Sequence, residues 1–230
     1  MRLAILTTDT LHHTYFVREV AKRWPVELCL LETRKSLASY PTDHAFEKLR
    51  DDYERQAWGE SAFGASPVIC WDANDSEAVQ ILKDARSDVA VVFGTGKIGP
   101  GVVASCRHIL NLHGGDPQRF RGLDSHLWSI LCDEFPPFAV TLHRLTPALD
   151  AGDIVGTEAV YVRKGMRLHE VRRFVTEACV RLVNAALEEF AETGRFSSRP
   201  QEDVGVYCHA MPAWLKERAV KKFEAYTGAM

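Results

Sequence analysis

The sequence predicts an α/β fold: a mostly parallel sheet with helices on both faces and a short C-terminal extension. Three observations predict it. Short apolar runs alternate with helical patterns along most of the chain, as strands joined by crossover helices do. The run at 88–93 is strongly β-branched and is bounded by Gly94, the mark of a buried strand followed by a turn. The length, 230 residues, fits one large domain or one domain with a small appendage.

The elements follow in order. Residues 2–7 are the first apolar run, with a helical pattern from about 11 to 23. A second strand is expected at 26–31, and the charged stretch 43–58 reads as a loosely attached helix. Strands at 67–71 and 88–93 flank a helix at 76–86. A short helix after Pro100 leads to the strand ending at His113, where Ile109, Leu110 and Leu112 supply the apolar residues. An irregular loop at 114–122, a helix at 123–134 and a strand at 138–144 come next. A strand at 154–162 and a long amphipathic helix at 168–192 complete the layers. The division this implies is 1–193 for the main domain and 194–230 for an extension packed on it. Within the extension, 196–201 is linker-like and 212–226 reads as a helix opened by proline.

The net charge of −3 and the lack of a long basic run disfavour nucleic acid as the main partner. The apolar start is too short for a signal peptide or a membrane span. Six scattered cysteines (Cys29, Cys70, Cys106, Cys132, Cys179, Cys208) form no Cys-x-x-Cys pair. A cytoplasmic protein with reduced thiols and no metal site is expected.

Side chains two apart on a strand share a face. Asn111 and His113 therefore set a neutral amide donor beside an imidazole where the chain leaves the sheet. The turn Leu149-Asp150-Ala151-Gly152-Asp153-Ile154 could bring a carboxylate to that imidazole. Such a set suits acyl transfer: one group stabilises an oxyanion, one moves protons, one supports the base. The plain alternatives are a structural histidine and an ordinary Asp-Gly turn, and His143 can likewise be core. No Ser-centred nucleophile elbow is present, so covalent catalysis is not suggested.

Two other loops draw attention. Gly94-Thr95-Gly96-Lys97-Ile98-Gly99 matches G-x-G-x-x-G, and Asp116 falls roughly where a ribose-binding acid would. The context is poor, because that fingerprint belongs to the first βα turn and its acid ends the next strand. A mobile loop that lets a ligand approach its backbone is the better reading. Thr7-Thr8-Asp9-Thr10-Leu11-His12-His13 leaves the first strand, where ligand contact competes with helix capping by Thr8, Asp9 or Thr10. A His12–His13 metal pair is disfavoured, since consecutive helical residues diverge.

Asn111-Leu112-His113, the loop ending Phe120-Arg121-Gly122, and Thr141-Leu142-His143 leading to the 149–154 turn resemble the folate-dependent formyltransferases. The motifs span 88–163 and the topology carries over 1–192. The resemblance implies a Rossmann-like sheet and an enzyme that moves a formyl group from 10-formyltetrahydrofolate, a co-substrate, to a primary amine without a metal. It implies Asn111, His113 and Asp150 as the catalytic triad. Thr95, Gly96, Lys97 and Ile98, with Leu145, Thr146 and Pro147, would bracket the folate, and Asp9, His12 and Asp116 would face the acceptor.

The chain departs from the family where Gly114-Gly115-Asp116-Pro117-Gln118-Arg119 replaces a usual Ser-Leu-Leu-Pro element. The first loop lacks the glycine-rich segment of glycinamide ribonucleotide transformylase, and the tail is too short for the barrel domain of the tRNA enzymes. Leu11-His12-His13-Thr14-Tyr15-Phe16 is instead similar to formyltransferase-like proteins of polysaccharide gene clusters. The expected acceptor is thus a nucleotide-linked amino sugar. Partners would be small molecules, with no membrane and with a homodimer compatible. Four rivals stand beside this reading: a formyltetrahydrofolate hydrolase, formylation of another small amine or aminoacyl group, a nicotinamide dinucleotide-binding oxidoreductase, and a non-catalytic folate-binding protein.

Overall fold

The computed structural model describes residues 1–35, 38–60, 62–135 and 138–230. In chain order its elements are β1 (Leu3–Thr7), α1 (Leu11–Ala21), β2 (Val26–Glu32), α2 (Ala45–Trp58), β3 (Pro67–Cys70), α3 (Ser76–Ala85), β4 (Val89–Val92), α4 (Pro100–Val103) and β5 (His108–His113). There follow β6 (Phe120–Gly122), α5 (Ser125–Leu131), β7 (Phe138–Arg144), β8 (Ile154–Val160), a 3₁₀ turn Leu168–Glu170, α6 (Val171–Thr193), β9 (Val206–Cys208) and α7 (Ala213–Ala229). The seven-stranded sheet runs β3-β2-β1-β4-β5-β7-β8. Strands β1 to β5 are mutually parallel, while β7 and β8 run antiparallel. The expected mostly parallel sheet is present.

Alternation along the strands divides the core. Leu3, Ile5, Val89, Val91, Leu110 and Leu112 pack with Phe16, Val17 and Val20 of α1 and with Ala178, Val183 and Leu187 of α6. Ala4, Leu6, Ala90, Val92 and Ile109 face the other way, onto Ala78 and Leu82 of α3 and Val102 of α4. Asn111 and His113 are in phase with Ile109 and so project beyond the end of this second, smaller cluster. The 94–99 and 145–150 segments, rather than a helix, border them there.

Three elements differ from expectation. The loop at 114–122 is not wholly irregular, because β6 pairs in parallel with β9 of the tail. Helix α2 is not loosely attached: Phe46 and Trp58 are buried, and Glu54, fully buried, forms a bidentate ion pair with Arg172 of α6. Of the charges that suggested a solvated helix, Glu54 is spent on that pair, while Lys48 and Arg55 do remain exposed. Thirdly, no side chain caps α1. The Thr10 hydroxyl lies 2.6 Å from Nδ1 of His13 instead, and the Thr8 hydroxyl 2.8 Å from the same atom. From the tail, Ala219 and Phe223 of α7 enter the larger core cluster. The six cysteines are free. No helix among the described residues is long and apolar enough to cross a membrane.

Candidate active site

A cavity of about 690 Å³ opens at the carboxyl ends of β4 and β5, within the size range of small-molecule sites. Asn111, His113 and Asp150 lie along it, together with Thr95, Gly96, Lys97, Ile98, Leu145, Thr146 and Pro147. Lys35 and Lys97 line one side of it, next to Glu32 and to Arg34, which is ion-paired with Asp72.

The register of β5 against β7 sets Asn111 opposite His143. The Asn111 amide Nδ2 donates to Oδ1 of Asp150 at 3.0 Å and stands 3.1 Å from Nε2 of His143. Nδ1 of His143 lies 2.9 Å from the Arg144 carbonyl oxygen, which can only accept. That nitrogen therefore carries the hydrogen, and Nε2 is left to accept from Asn111. The opposite amide orientation would set the Asn111 oxygen against a carboxylate, which rules it out electrostatically. Both hydrogens of the Asn111 amide are thus committed, one to a charged and one to a neutral acceptor.

His113 is held from the side away from Asp150. Its Nε2 lies 3.0 Å from the Phe120 carbonyl oxygen and 3.1 Å from the Ser125 hydroxyl. The carbonyl fixes the hydrogen on Nε2, so the lone pair of the neutral ring is on Nδ1. Nδ1 faces Oδ2 of Asp150 at 3.7 Å, too far for a hydrogen bond, and the contact becomes an ion pair only when the ring is protonated. Burial lowers the His113 pKa against the opposing pull of the Asp150 charge and the Phe120 carbonyl. At neutral pH the ring is a neutral base next to a carboxylate.

Asp150 is buried at the start of its turn, with φ +47° in the left-handed region. Burial works against its ionisation, but a donated hydrogen or positive charge on His143, the charge of protonated His113 and the Gly122 amide outweigh that and lower its pKa. The Gly122 N–H donates to Oδ2 at 2.8 Å. Gly122 has φ +92°, and a Cβ there would run into the Cys208 carbonyl oxygen. Only glycine presents that amide while β9 lies so close.

The 94–99 loop is fixed from beneath. Buried Glu32, at the end of β2, accepts from Gly96 N at 2.8 Å and from Ala73 N at 2.9 Å. Asn74 accepts from Gly99 N at 2.6 Å and donates to the Lys97 carbonyl at 2.9 Å. The loop reads as held rather than mobile. The Gly96 and Gly99 amides and the acid at the end of β2 are already engaged, and the loop follows β4 rather than β1. That is not the placement of a dinucleotide fingerprint, which belongs to the first βα turn.

The residues expected to face an acceptor do not line this cavity. Asp9 is exposed on the loop before α1. His12 packs on His13 and Phe93, with ring centroids 3.9 and 5.9 Å away. Asp116 closes an Asx turn on the Gln118 amide at 2.9 Å and lines a separate cavity of about 310 Å³ beside Ser125 and His126. Sequence reasoning missed His143, Glu32, Asn74 and Ser125. Of these only His143 left a trace, by standing two residues from Thr141 on a strand next to the motif. Among the described residues no three or more His, Cys, Asp or Glu side chains are grouped to hold a metal ion.

Two imidazoles near the site, buried His13 and half-buried His126, give a pH dependence. Burial, then the Arg172 charge, lowers the His13 pKa from 6.5 to about 3. Burial, aided by Arg50, Arg172 and Lys216 against Asp124, lowers that of His126 to about 4. Unfolded, both rings take up a proton near 6.5. The unfolded chain therefore binds more protons below that pH, and stability falls as the solution is acidified. The urea midpoint is expected to be flat between about pH 7 and 8 and to drop between about pH 6 and 4. His126→Asn should shallow that drop, as urea titrations at stepped pH would record.

A cavity at the carboxyl ends of the strands with a positioned amide, an imidazole and a carboxylate is an arrangement that could serve group transfer of the acyl type. The chain belongs to the formyl transferase family, whose model matches residues 34–187. It is 30% identical over 135 residues to methionyl-tRNA formyltransferase of Neisseria meningitidis serogroup C, covering 58% of this chain and 44% of that protein. The chain thus spans less than half the length of that relative. In fold it is similar to a sugar N-formyltransferase from a Shewanella species, with a TM-score of 0.62 at 12% identity over 90% of this chain and 76% of the other. HypX from Aquifex aeolicus, solved with tetrahydrofolic acid, is similar with a TM-score of 0.63 at 19% identity, over 99% of this chain and 34% of HypX.

Proposed function

We propose that this protein transfers the formyl group of 10-formyltetrahydrofolate to a primary amine, the amino group of a nucleotide-linked amino sugar being the favoured acceptor. The observation that carries the reading is neutral His113 with its Nδ1 lone pair toward ionised Asp150, beside Asn111, in the cavity bordered by 94–98 and 145–150. Family membership and the fold neighbours support it.

The amine nitrogen attacks the formyl carbon, and the carbonyl electrons move onto oxygen. Asn111 can serve that oxyanion by releasing the hydrogen it lends to His143 while keeping its bond to Asp150. The amine proton passes to Nδ1 of His113, and the resulting imidazolium is stabilised by Asp150. The bond to the folate nitrogen then breaks, and that nitrogen receives the proton, leaving an N-formyl amine and tetrahydrofolate. The folate rings are read by the main chain of the 94–98 and 145–150 segments, and Lys35 and Lys97 on one side of the cavity suit an anionic substrate.

The test is release of tetrahydrofolate from 10-formyltetrahydrofolate in the presence of a panel of amino-sugar nucleotides. Release that depends on an amine and matches N-formyl product one to one is expected. Equal formate release without any amine would make the protein a hydrolase. Stoichiometric binding of a nicotinamide dinucleotide with no folate binding would overturn the reading.

A further inference from the structure

We propose that Gln201, in the tail beyond the residues the family model matches, is a positioning residue of this site. It holds the Asp150 turn so that the carboxylate meets Asn111, His113 and the Gly122 amide. For its effect on turnover this rests on the role given to Asp150 above.

The Gln201 amide nitrogen has two hydrogens, and both go to the turn. Nε2 donates to the Asp150 carbonyl at 2.8 Å and to the Gly152 carbonyl at 2.8 Å. Asp150 is a non-glycine residue in the left-handed region, a conformation that L side chains adopt reluctantly without support. From the other flank Arg144 N donates to the Asp153 carbonyl at 2.8 Å. Asn111 holds the Asp150 carboxylate, whereas Gln201 holds the main chain of the turn.

The other end of Gln201 is equally engaged. Its carbonyl oxygen accepts from Nη2 of Arg121 at 2.9 Å, and Nε of Arg121 donates to the Pro117 carbonyl at 3.0 Å. Arg121 adjoins Gly122, whose amide binds Asp150. One side chain thus joins the segment that follows His113 to the turn that carries Asp150. The tail is delivered to this place by its own main chain. Glu202 N donates to the Gln118 side-chain oxygen at 2.8 Å, Val206 N to the Arg119 carbonyl at 2.8 Å, and Cys208 accepts from Leu123 N at 3.0 Å. Tyr207, on the same strand, lines the cavity itself.

Two variants test the proposal. Gln201→Glu keeps the length and the Arg121 partner but sets an acceptor against two carbonyls, and Gln201→Leu removes both ends. In each, amide hydrogen exchange over 149–153 is expected to quicken by about tenfold or more. Melting temperature should change little. The kcat for formyl transfer should fall about ten- to a hundredfold, with KM for the folate within about twofold. A purely structural role would not separate kcat from KM in this way. Wild-type exchange and wild-type kcat in a folded variant would overturn the proposal, as would a rise in KM with kcat unchanged. Should one variant fail to fold, the other is read. If the wild-type chain releases tetrahydrofolate with no amine in the panel, the functional reading fails, and the exchange measurement still decides whether Gln201 holds the turn.

Discussion

His113→Ala is expected to lower kcat for formyl transfer by at least about a hundredfold, as removal of a positioned proton carrier does. The fold should survive, because the ring contributes two polar contacts to a loop already tied by β6–β9 pairing. Asp150→Ala should cost a comparable factor for a different reason: it removes the charge that stabilises the imidazolium and frees the Asn111 and Gly122 hydrogens it now accepts. The pH profile separates the two. In the wild-type chain His113 is deprotonated down to below its ordinary value because burial disfavours its charged form. The acid limb of kcat/KM should therefore lie below pH 6.5, with activity lost as Nδ1 takes a proton and can no longer accept one. Circular dichroism would establish folding, and single-turnover assays the rate. Undiminished turnover in folded His113→Ala would sink the mechanism.

The parts of this site that were legible in the sequence are those governed by short-range geometry. Period-two alternation alone puts Asn111 and His113 on one face, and the apolar residues between them mark the strand as buried. The turn around Gly152 was visible for the same reason, as a local signature. What stayed hidden depends on pairing across long separations. His143 reads as core until the antiparallel register of β5 and β7 sets it opposite Asn111. Glu32 reads as the polar end of a strand until Gly96 N and Ala73 N are found on its two oxygens. The pairing of 120–122 with 206–208 is three residues long and has no alternating pattern to announce it. The way His113 is anchored was hidden as well: the Phe120 carbonyl, brought round by the same loop, meets Nε2, while Nδ1 stands 3.7 Å from Asp150.

The largest effect on stability is expected at Arg172, the residue that corrects the reading of α2. Its guanidinium meets both oxygens of Glu54, at 2.7 and 2.6 Å, and reaches Asp51 at 2.8 Å. Glu54 is fully buried, so its charge has no water to fall back on. Removing one partner of such a pair leaves an uncompensated charge in the interior. Arg172→Met should therefore cost about 3–5 kcal/mol, lowering the melting temperature by roughly 6–20 °C in a chain of this size. Replacing both partners, Arg172→Met with Glu54→Leu, should recover most of that loss, because desolvation of the pair offsets much of its attraction. The same substitution reaches the candidate site, since the Arg172 charge helps to lower the pKa values of His13 and His126. Both variants should then unfold less steeply with acid than the wild-type chain does. Calorimetric scans at pH 7 and pH 5 separate the two contributions. A single variant that melts within a degree or two of wild type would show that α2 is held by its apolar residues alone.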